Sequence, residues 1–226
     1  MNAGAWRTWL IAAMAGLAAA MPAQAVVVDF EDVQPTLFSA SAISSGGFDF
    51  TSDGMGFSGV DSAAAFVFGN APVNADGQFL FMLNGDGMVM RESTGERFSI
   101  GSFDASFVAP LGGLGAGLLP GELHIVGQKS GGVLVMDSRP FSASDGNGDF
   151  SFDSFGKGAL AGQLFKQVGF YACIYQNDGS CSFTALDVPP QFALDNISVH
   201  IPEPASALLV ILALGAAGAT VRRRTR

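Results

Sequence analysis

The sequence predicts an all-β protein: a two-sheet antiparallel β-sandwich, jelly-roll-like, flanked by a signal peptide and a C-terminal transmembrane helix. Three observations lead to this prediction. All 20 phenylalanines and most of the 30 glycines lie in the central part of the 226-residue chain. That part alternates short apolar stretches with polar, glycine-rich turns, whereas each end carries a long, uncharged apolar run. The chain therefore divides into three segments of different character, residues 1–25, 26–200 and 201–226.

The central segment is expected to form one domain of about a dozen short strands. Phe48-Asp49-Phe50 and Phe150-Ser151-Phe152 alternate strictly, and a period of two places the aromatic rings on one face of a strand. Clusters of Asn, Asp and Gly, such as residues 84–87, mark the turns between strands. This rhythm, without a sustained helical stripe, is typical of a sandwich. The candidate strands are Val26–Glu31, Phe48–Thr51, Ala64–Phe68, Phe79–Leu83, Met88–Arg91, Arg97–Val108, Glu122–Gln128, Gly132–Met136, Asp149–Asp153, Phe165–Cys173, Cys181–Leu186 and Phe192–His200.

The N-terminal segment has the three parts of a secretory signal peptide. Arg7 supplies the positive charge, an apolar run extends from Trp9 to Met21, and Ala23-Gln24-Ala25 fits the small-residue cleavage pattern. The alternative is an uncleaved membrane anchor, but the apolar run is short for a span. Cleavage after Ala25 would leave Val26 as the mature N-terminus.

The C-terminal segment reads as a motif, a helix and a charge cluster in that order. Pro202-Glu203-Pro204 precedes seventeen uncharged residues, 205–221. Seventeen helical residues reach roughly 25 Å, enough for a short membrane span. A cluster of arginines follows and is expected to stay in the cytoplasm. The cluster consists of Arg222, Arg223, Arg224 and Arg226.

This tripartite tail resembles the PEP-CTERM sorting signal, which occurs on exported proteins of Gram-negative bacteria that make exopolysaccharide. The resemblance covers residues 202–226 only. It implies recognition by an exosortase, a membrane-embedded cysteine peptidase, with an intermediate anchored transiently in the inner membrane. Removal of the tail would deliver the central segment to the cell surface or the extracellular matrix. The alternative is an ordinary tail anchor preceded by a chance Pro-x-Pro.

Charge restricts the partners of the central segment. Residues 26–201 hold 19 of the 20 acidic residues but only 6 of the 11 basic ones. Nucleic acid is excluded as a partner because its phosphates require neutralisation by Lys and Arg. Adhesion to anionic lipid headgroups is disfavoured for the same reason.

A second resemblance concerns the two ends of the central segment. The opening Val28-Asp-Phe-Glu-Asp32 and the closing stretch 192–199 resemble the first and last strands of carbohydrate-binding-module-like jelly rolls. In that family a structural calcium ion often ties these strands together, which implies Glu31 and Asp195 as ligands here. Asn196 stands where the family has a second acid. Carboxylates suit Ca²⁺, and weak sites fill outside the cell. The alternative is that both acids simply face solvent.

The two cysteines predict a disulfide. Cys173 and Cys181 lie eight residues apart on either side of an Asn-Asp-Gly turn, as expected for neighbouring strands of a hairpin in an exported chain. A reactive thiol pair or a metal site is the alternative. It is disfavoured because the pair lacks Cys-x-x-Cys spacing and has no histidine nearby in the sequence.

One further acidic stretch resembles a calcium loop. Asp145-Gly-Asn147-Gly-Asp149 has the start of an EF-hand, but Phe150 stands where that loop needs glycine and Gly156 where it needs glutamate. A polar hairpin turn is the expected structure.

Residues suited to catalysis or sugar stacking are few. His124 lies in an apolar stretch, and the chain has neither Gly-x-Ser-x-Gly nor His-Glu-x-x-His. The central segment has no tryptophan, and of its two tyrosines, Tyr171 and Tyr175, the second lies by the hairpin tip as a candidate contact. The phenylalanines are expected to form the core.

Together these features predict a non-enzymatic surface or biofilm-matrix protein that adheres or makes weak glycan contact, with exopolysaccharide as its partner. The alternative is an extracellular hydrolase acting on polysaccharide. A deep cleft with two facing carboxylates would favour the hydrolase.

Overall fold

A computed structural model describes residues 24–184 and 189–202 of the chain. Residues 25–200, here called the body, form one compact unit. The described residues contain fourteen strands and one short 3-10 helix, Gly158–Leu160. The strands are β1 Gln24–Val28, β2 Thr36–Phe38, β3 Ala42–Ser45, β4 Phe48–Ser52, β5 Phe57–Ser62, β6 Gln78–Leu83, β7 Met88–Glu92, β8 Ser99–Phe107, β9 Gly121–Gln128, β10 Leu134–Pro140, β11 Asp153–Gly156, β12 Gln167–Tyr175, β13 Cys181–Ser182 and β14 Phe192–Ile201.

The strands build two seven-stranded sheets. The first sheet has the order β11-β8-β14-β6-β5-β2, with β1 on β14. The second has the order β10-β9-β12-β7-β4-β3, with β13 on β12. Neighbours along both orders pair antiparallel. The predicted all-β sandwich of two antiparallel sheets is therefore confirmed.

Phenylalanine rings fill the space between the sheets. Phe48 and Phe50 alternate with half-exposed residues along β4, as the sequence pattern predicts. Phe103 of the first sheet meets Phe170 of the second edge-to-face, with ring centroids 5.7 Å apart. Burying one such side chain stabilises the fold by about 1.5–3 kcal/mol. Twelve rings are fully buried: Phe30, Phe48, Phe50, Phe79, Phe81, Phe98, Phe103, Phe107, Phe141, Phe165, Phe170 and Phe192.

The outer face of the first sheet carries a second, smaller core, here called the covered face. Phe79 and Phe81 are buried although they point away from the other sheet. The loop after β5 folds over them and brings Phe66 to within 5.0 Å of the Phe81 ring, centroid to centroid. Because residues on both sides of β6 are buried, its sequence is apolar almost throughout.

The predicted strand Ala64–Phe68 is wrong. These residues form turns and loop, and their phenylalanines pack onto the covered face instead of pairing in a sheet. The preceding stretch, Phe57–Ser62, is the strand that the sequence pattern missed. Two short strands at sheet edges, Thr36–Phe38 and Ala42–Ser45, were missed as well, because they are mostly exposed and carry little apolar signal.

Other boundaries differ from the prediction by a few residues. The strand predicted at Asp149–Asp153 begins at Asp153, and the one predicted at Gly132–Met136 runs over Leu134–Pro140. The first strand starts and ends earlier than predicted, at Gln24–Val28. Pairing partners fix these ends, and a single strand's sequence does not contain that information.

Candidate functional site

The outer face of the second sheet, here called the open face, carries a shallow depression of about 330 Å³. It is open because residues along β9 alternate between buried and half-buried, so that every second side chain points outward uncovered. The loops after β4 and β6 form one wall, and the hairpin of β13 forms another. The lining of the depression includes Asp53, Met55, Asp86, His124, Met136, Tyr171 and Phe183.

Tyr171 forms the floor of the depression. Its ring lies over the backbone of two glycines on the neighbouring positions: a Cβ on Gly169 would stand 2.7 Å from ring atom Cε2, and one on Gly87 would stand 2.5 Å from Cδ1 and Cε1. Any side chain at either glycine would lift the ring. Burial raises the pKa of Tyr171, and the nearby Asp53 carboxylate raises it further, so the phenol keeps its proton as a hydrogen-bond donor.

Apolar side chains surround this ring. Met136 on β10 is 63% exposed, and Phe183 and Met55 at the rim are exposed too. Exposed apolar residues clustered around an aromatic floor are typical of a contact surface rather than of an ordinary solvated sheet face. Sequence reasoning favoured Tyr175 and missed Tyr171. The two glycines under the ring are what distinguish Tyr171. Only Gly169 is close to Tyr171 in the sequence, whereas Gly87 lies in the loop before β7, so the pair could not be recognised from the sequence.

Two carboxyl groups, Asp53 and Asp86, lie at one wall in hydrogen-bond contact. Burial, followed by the hydrogen bond with Asp86, raises the pKa of Asp53. Burial acts upward on Asp86 as well, but its hydrogen bonds outweigh that and lower its pKa. Of the two, Asp53 is therefore the group that takes up a proton more readily.

The role of Asp86 in this pair is to tie loops together. Its carboxylate accepts hydrogen bonds from Ser52 Oγ at 2.6 Å, from Gly54 N at 3.1 Å and from Ser58 Oγ. Glycoside hydrolases separate their two carboxyl groups by about 5–9.5 Å. A pair in direct contact does not have that geometry.

The predicted disulfide is present at the other wall. Cys173 on β12 and Cys181 on β13 are bonded, with Cα atoms 5.4 Å apart. His124 lies beside it: its Nε2 is 3.2 Å from Cys173 Sγ and 3.0 Å from Glu122 Oε1. No histidine is near the cysteines in the sequence, but the fold brings His124 into contact with Cys173. His124 is on the adjacent strand β9, where Tyr171 pairs with it, so its distance in sequence hid the contact.

A group of acids lies on the outer side of the first sheet. Asp195 is only 4% exposed. Its pKa is raised to about 7, first by burial and then by the charges of Asp104, Asp29 and Glu31, against a lowering hydrogen bond from Asn196 N. The two predicted calcium ligands, Glu31 and Asp195, are thus close enough to interact. Sequence reasoning missed Asp29 and Asp104.

Strand register explains why Asp104 belongs to this group. Asp104 on β8 pairs directly with Asp195 on β14, and like charges opposite one another are destabilising unless something neutralises them. Asn196 has φ 49°, and the register shifts just after Asp195. This irregularity lets the Asn196 side chain donate to Asp104 Oδ2 at 2.9 Å.

Glu31 is exposed, and its carboxylate is positioned by the backbone at the start of β6. Gln78 N donates to Glu31 Oε1 at 2.6 Å, and Gly77 has φ +85° with no room for a Cβ beside that oxygen. The Gln78 side-chain oxygen is buried and has no hydrogen-bond partner among the described residues. The Glu31 carboxylate is thus held in place by backbone, and carboxylates are ligands that Ca²⁺ prefers.

The EF-hand-like stretch behaves as the expected polar turn. Asp145 Oδ1 accepts hydrogen bonds from Asn147 N at 2.8 Å and from Asp149 N at 3.0 Å. These backbone hydrogen bonds hold the pKa of Asp145 below its usual value. Asp149 turns away and accepts from Asn70 Nδ2 at 2.5 Å.

Most residues of the two predicted targeting segments lie outside the described residues. These include Ala23, Glu203, Pro204 and the arginines Arg222, Arg223 and Arg224. Within residues 24–184 and 189–202, no helix is long and apolar enough to cross a membrane. Ala25 lies in β1, and Pro202 directly follows the last residue of β14.

A match to a known protein-family model covers residues 200–224. These residues carry a PEP-CTERM protein-sorting motif. The motif implies an exported protein that is recognised by an exosortase and passes through a membrane-anchored intermediate. The match spans the tail and leaves the body outside it.

No curated protein matches the chain. Among solved structures, a mutant of a family 29 carbohydrate-binding module aligns with 79% of this chain and 91% of its own, at 9% identity and a TM-score of 0.29. The enzymatically active domain of tailspike protein 4 of bacteriophage CBA120 aligns with 69% of this chain, at 11% identity and a TM-score of 0.30. The alignment spans 19% of the tailspike chain. Likenesses this weak carry no information on ligand or activity.

Proposed function

We propose that the protein is made with a cleaved signal peptide, that an exosortase removes its tail, and that the body then acts at the cell surface or in the extracellular matrix. There it contacts glycan, with exopolysaccharide as the partner, and it works without catalysis. The tail motif supports the route, and the open face supports the contact. The Tyr171 ring over its two glycines is the observation that carries the glycan proposal.

The chemistry of the depression suits a sugar. A flat aromatic ring packs against the C–H face of a pyranose, and the tyrosine hydroxyl at its edge stays available for hydrogen bonding. Asp53 and His124 line the same depression and provide polar groups that bind sugar hydroxyls. The surrounding exposed methionines supply adaptable apolar contact.

A hydrolase is the weaker candidate. The Asp53–Asp86 pair is the only facing pair of carboxyl groups at the depression within the described residues, and direct contact leaves no space for a glycosidic oxygen and a nucleophile between them. Their hydrogen bonds to loop residues fit a structural role. Release of reducing ends from purified exopolysaccharide by the body, abolished in Asp53→Asn, would overturn the non-enzymatic proposal.

Replacing the three motif residues tests the route. The variant Pro202→Ala/Glu203→Ala/Pro204→Ala is expected to accumulate in the membrane as the full-length form, because the peptidase loses its recognition motif. Pulse-chase followed by fractionation measures this. Pro140→Ala, at an exposed end of β10, is the matched control and should mature at the wild-type rate. Equal maturation of the triple variant would refute sorting by this motif.

Removing the ring of Tyr171 tests the contact. Tyr171→Ala is expected to weaken binding of the body to the producing cells' exopolysaccharide about tenfold, since aromatic contacts are worth about 0.5–1.5 kcal/mol beyond the area they bury. Affinity electrophoresis and titration calorimetry measure the change. Tyr175→Ala is the matched control, because Tyr175 is 37% exposed but lies outside the depression. If both variants bind as wild type, the open face is not the glycan surface.

We further propose that one Ca²⁺ ion binds between Glu31 and Asp195. The charges of Asp104, Asp29 and Glu31 all act on Asp195, and a divalent cation beside it would remove the repulsion between the paired Asp104 and Asp195. The ion would supply a structural link between the residues after β1 and strand β14. Its role is stability rather than glycan binding, since these acids lie on the sheet opposite the depression.

A further inference from the structure

Four side chains on the open face bring potential metal ligands together. The ligand atoms of Glu122, His124, Cys173 and Cys181 all lie within 4.8 Å of one another. Such mutual distances suit a single small cation at their centre, because tetrahedral zinc sites have ligands at about 2.0–2.3 Å from the metal.

Three paired strands hold these groups in place. Glu122 on β9 pairs with Cys173 on β12, so their side chains emerge side by side. His124 follows two positions along β9 and points to the same face. Cys181 comes from β13, which pairs with the end of β12. The site is thus built from two long paired strands and one residue of a two-residue strand.

The group is accessible from solvent on one side only. The side chains of His124 and Glu122 are 22% and 21% exposed, whereas Cys173 is fully buried. A metal ion can enter over the first two residues, and the buried cysteine lies at the back. The ring of Phe183 packs edge-on against His124 with centroids 5.0 Å apart and restrains that ring.

In the disulfide form the two sulfur atoms are bonded to each other, and the group lacks thiolates. A dithiol reductant changes this. It transfers two electrons and two protons to the disulfide, which converts Cys173 and Cys181 to two thiols. The reductant itself is oxidised to a disulfide. A metal ion that binds both sulfurs then releases the two thiol protons to solvent.

We propose that the reduced protein binds one Zn²⁺ ion through Cys173, Cys181, His124 Nε2 and Glu122. Two thiolates, an imidazole and a carboxylate are all ligands that zinc takes in four-coordinate sites. Thiolates select zinc over calcium and magnesium, which prefer all-oxygen sites. The hairpin of β13 is therefore closed by a disulfide under oxidising conditions and by a metal ion under reducing ones.

Metal titration of the full-length chain in detergent tests the proposal. After reduction and removal of the reductant without air, the protein is expected to bind one equivalent of Zn²⁺. Co²⁺ in place of Zn²⁺ should give thiolate-to-cobalt charge-transfer absorption and the intense visible bands of tetrahedral cobalt. The chain has only two cysteines, so such a spectrum can come from no other pair. The oxidised protein should give neither signal.

Single substitutions separate this site from adventitious binding. Loss of a residue that only orients a ligand already costs about 10–100-fold in metal affinity, so His124→Gln and Glu122→Gln should each lose at least about tenfold. His200→Gln is the matched control, since it removes the only other histidine, and should bind as wild type. Reduced wild-type protein that binds no more Zn²⁺ than the oxidised form would overturn the proposal, whatever the variants do. So would tight binding without a thiolate spectrum.

Discussion

The outer faces of the two sheets of the body differ in how far they are covered. The covered face of the first sheet is overlaid by the loop after β5, and Phe79 and Phe81 are fully buried there. The open face of the second sheet has no such cover: Met136 and Phe183 remain exposed around Tyr171. Both faces carry apolar residues, but only one of them uses those residues to stabilise the fold.

We therefore expect the covered face to contribute to stability and the open face to ligand contact. Aromatic rings on the covered face pack against one another, with Phe66–Phe81 and Phe66–Phe79 centroids 5.0 Å and 5.4 Å apart. On the open face a single half-buried tyrosine rests on glycine backbone and lines the depression. Substitutions on the first face should therefore affect unfolding, and substitutions on the second should affect ligands.

The largest expected effect comes from the covered face. Phe81→Ala removes a fully buried ring and should lower the free energy of unfolding by about 3–5 kcal/mol. For a domain of this size that is roughly 6–20 °C in Tm. Met136→Ala on the open face is the control and should change stability by less than about 0.5 kcal/mol. Scanning calorimetry of both variants decides the matter, and comparable losses would erase the distinction between the faces.

The second effect concerns pH and the acids beside the covered face. The pKa of Asp195 is about 7 in the folded body against 3.8 ordinarily. Without metal, the folded state thus keeps a proton that the unfolded chain has lost. Stability should fall as pH rises from about 4 to about 7, by up to about 4 kcal/mol at 1.36 kcal/mol per pKa unit.

Asp195→Asn isolates this contribution from that of Asp53, whose pKa is also raised. In EDTA at pH 8 the variant should be more stable than wild type, and its stability should change less between pH 5 and pH 8. Urea unfolding at the two pH values measures both quantities. An unchanged pH dependence in Asp195→Asn would mean that this carboxyl does not hold the proton.

The third and smallest effect is that of calcium. At millimolar Ca²⁺ and a Kd of about 10 µM, binding to the folded state alone adds about 2.7 kcal/mol. Wild-type protein should therefore lose roughly 5–10 °C of Tm in EDTA. Asp195→Ala should abolish that loss, while Asp149→Ala, whose carboxylate binds Asn70, should retain it. Identical melting with and without EDTA would exclude a structural ion.

The sequence predicted the strands that carry a strong apolar pattern. It did not predict which strands pair with one another. The main strands β4, β6, β8, β12 and β14 were found because their buried residues alternate or run continuously. The stretch Ala64–Phe68 was mistaken for a strand because its phenylalanines pack onto the covered face from a loop. The short, mostly exposed edge strands β2 and β3 gave too weak a signal to detect.

The sites show the same limit. The disulfide could be predicted from the sequence, since its two cysteines lie on either side of one turn in an exported chain. The contact of His124 with Cys173 and the pairing of Asp104 with Asp195 depend on which strands lie side by side and in what register. A one-residue slip would move either pair to opposite faces, and nothing local in the sequence fixes that choice.

Strand β14 also determines how the molecule responds to force. It pairs with β8 on one side and β6 on the other, and its last residue, Ile201, is bonded to Pro202 of the tail. Antiparallel hydrogen bonds run across the strands, so tension applied through the tail loads many of them together in shear rather than peeling them apart singly. A peptidase that grips the tail, or a polymer that drags on a tethered molecule, therefore pulls on the sheet as a whole.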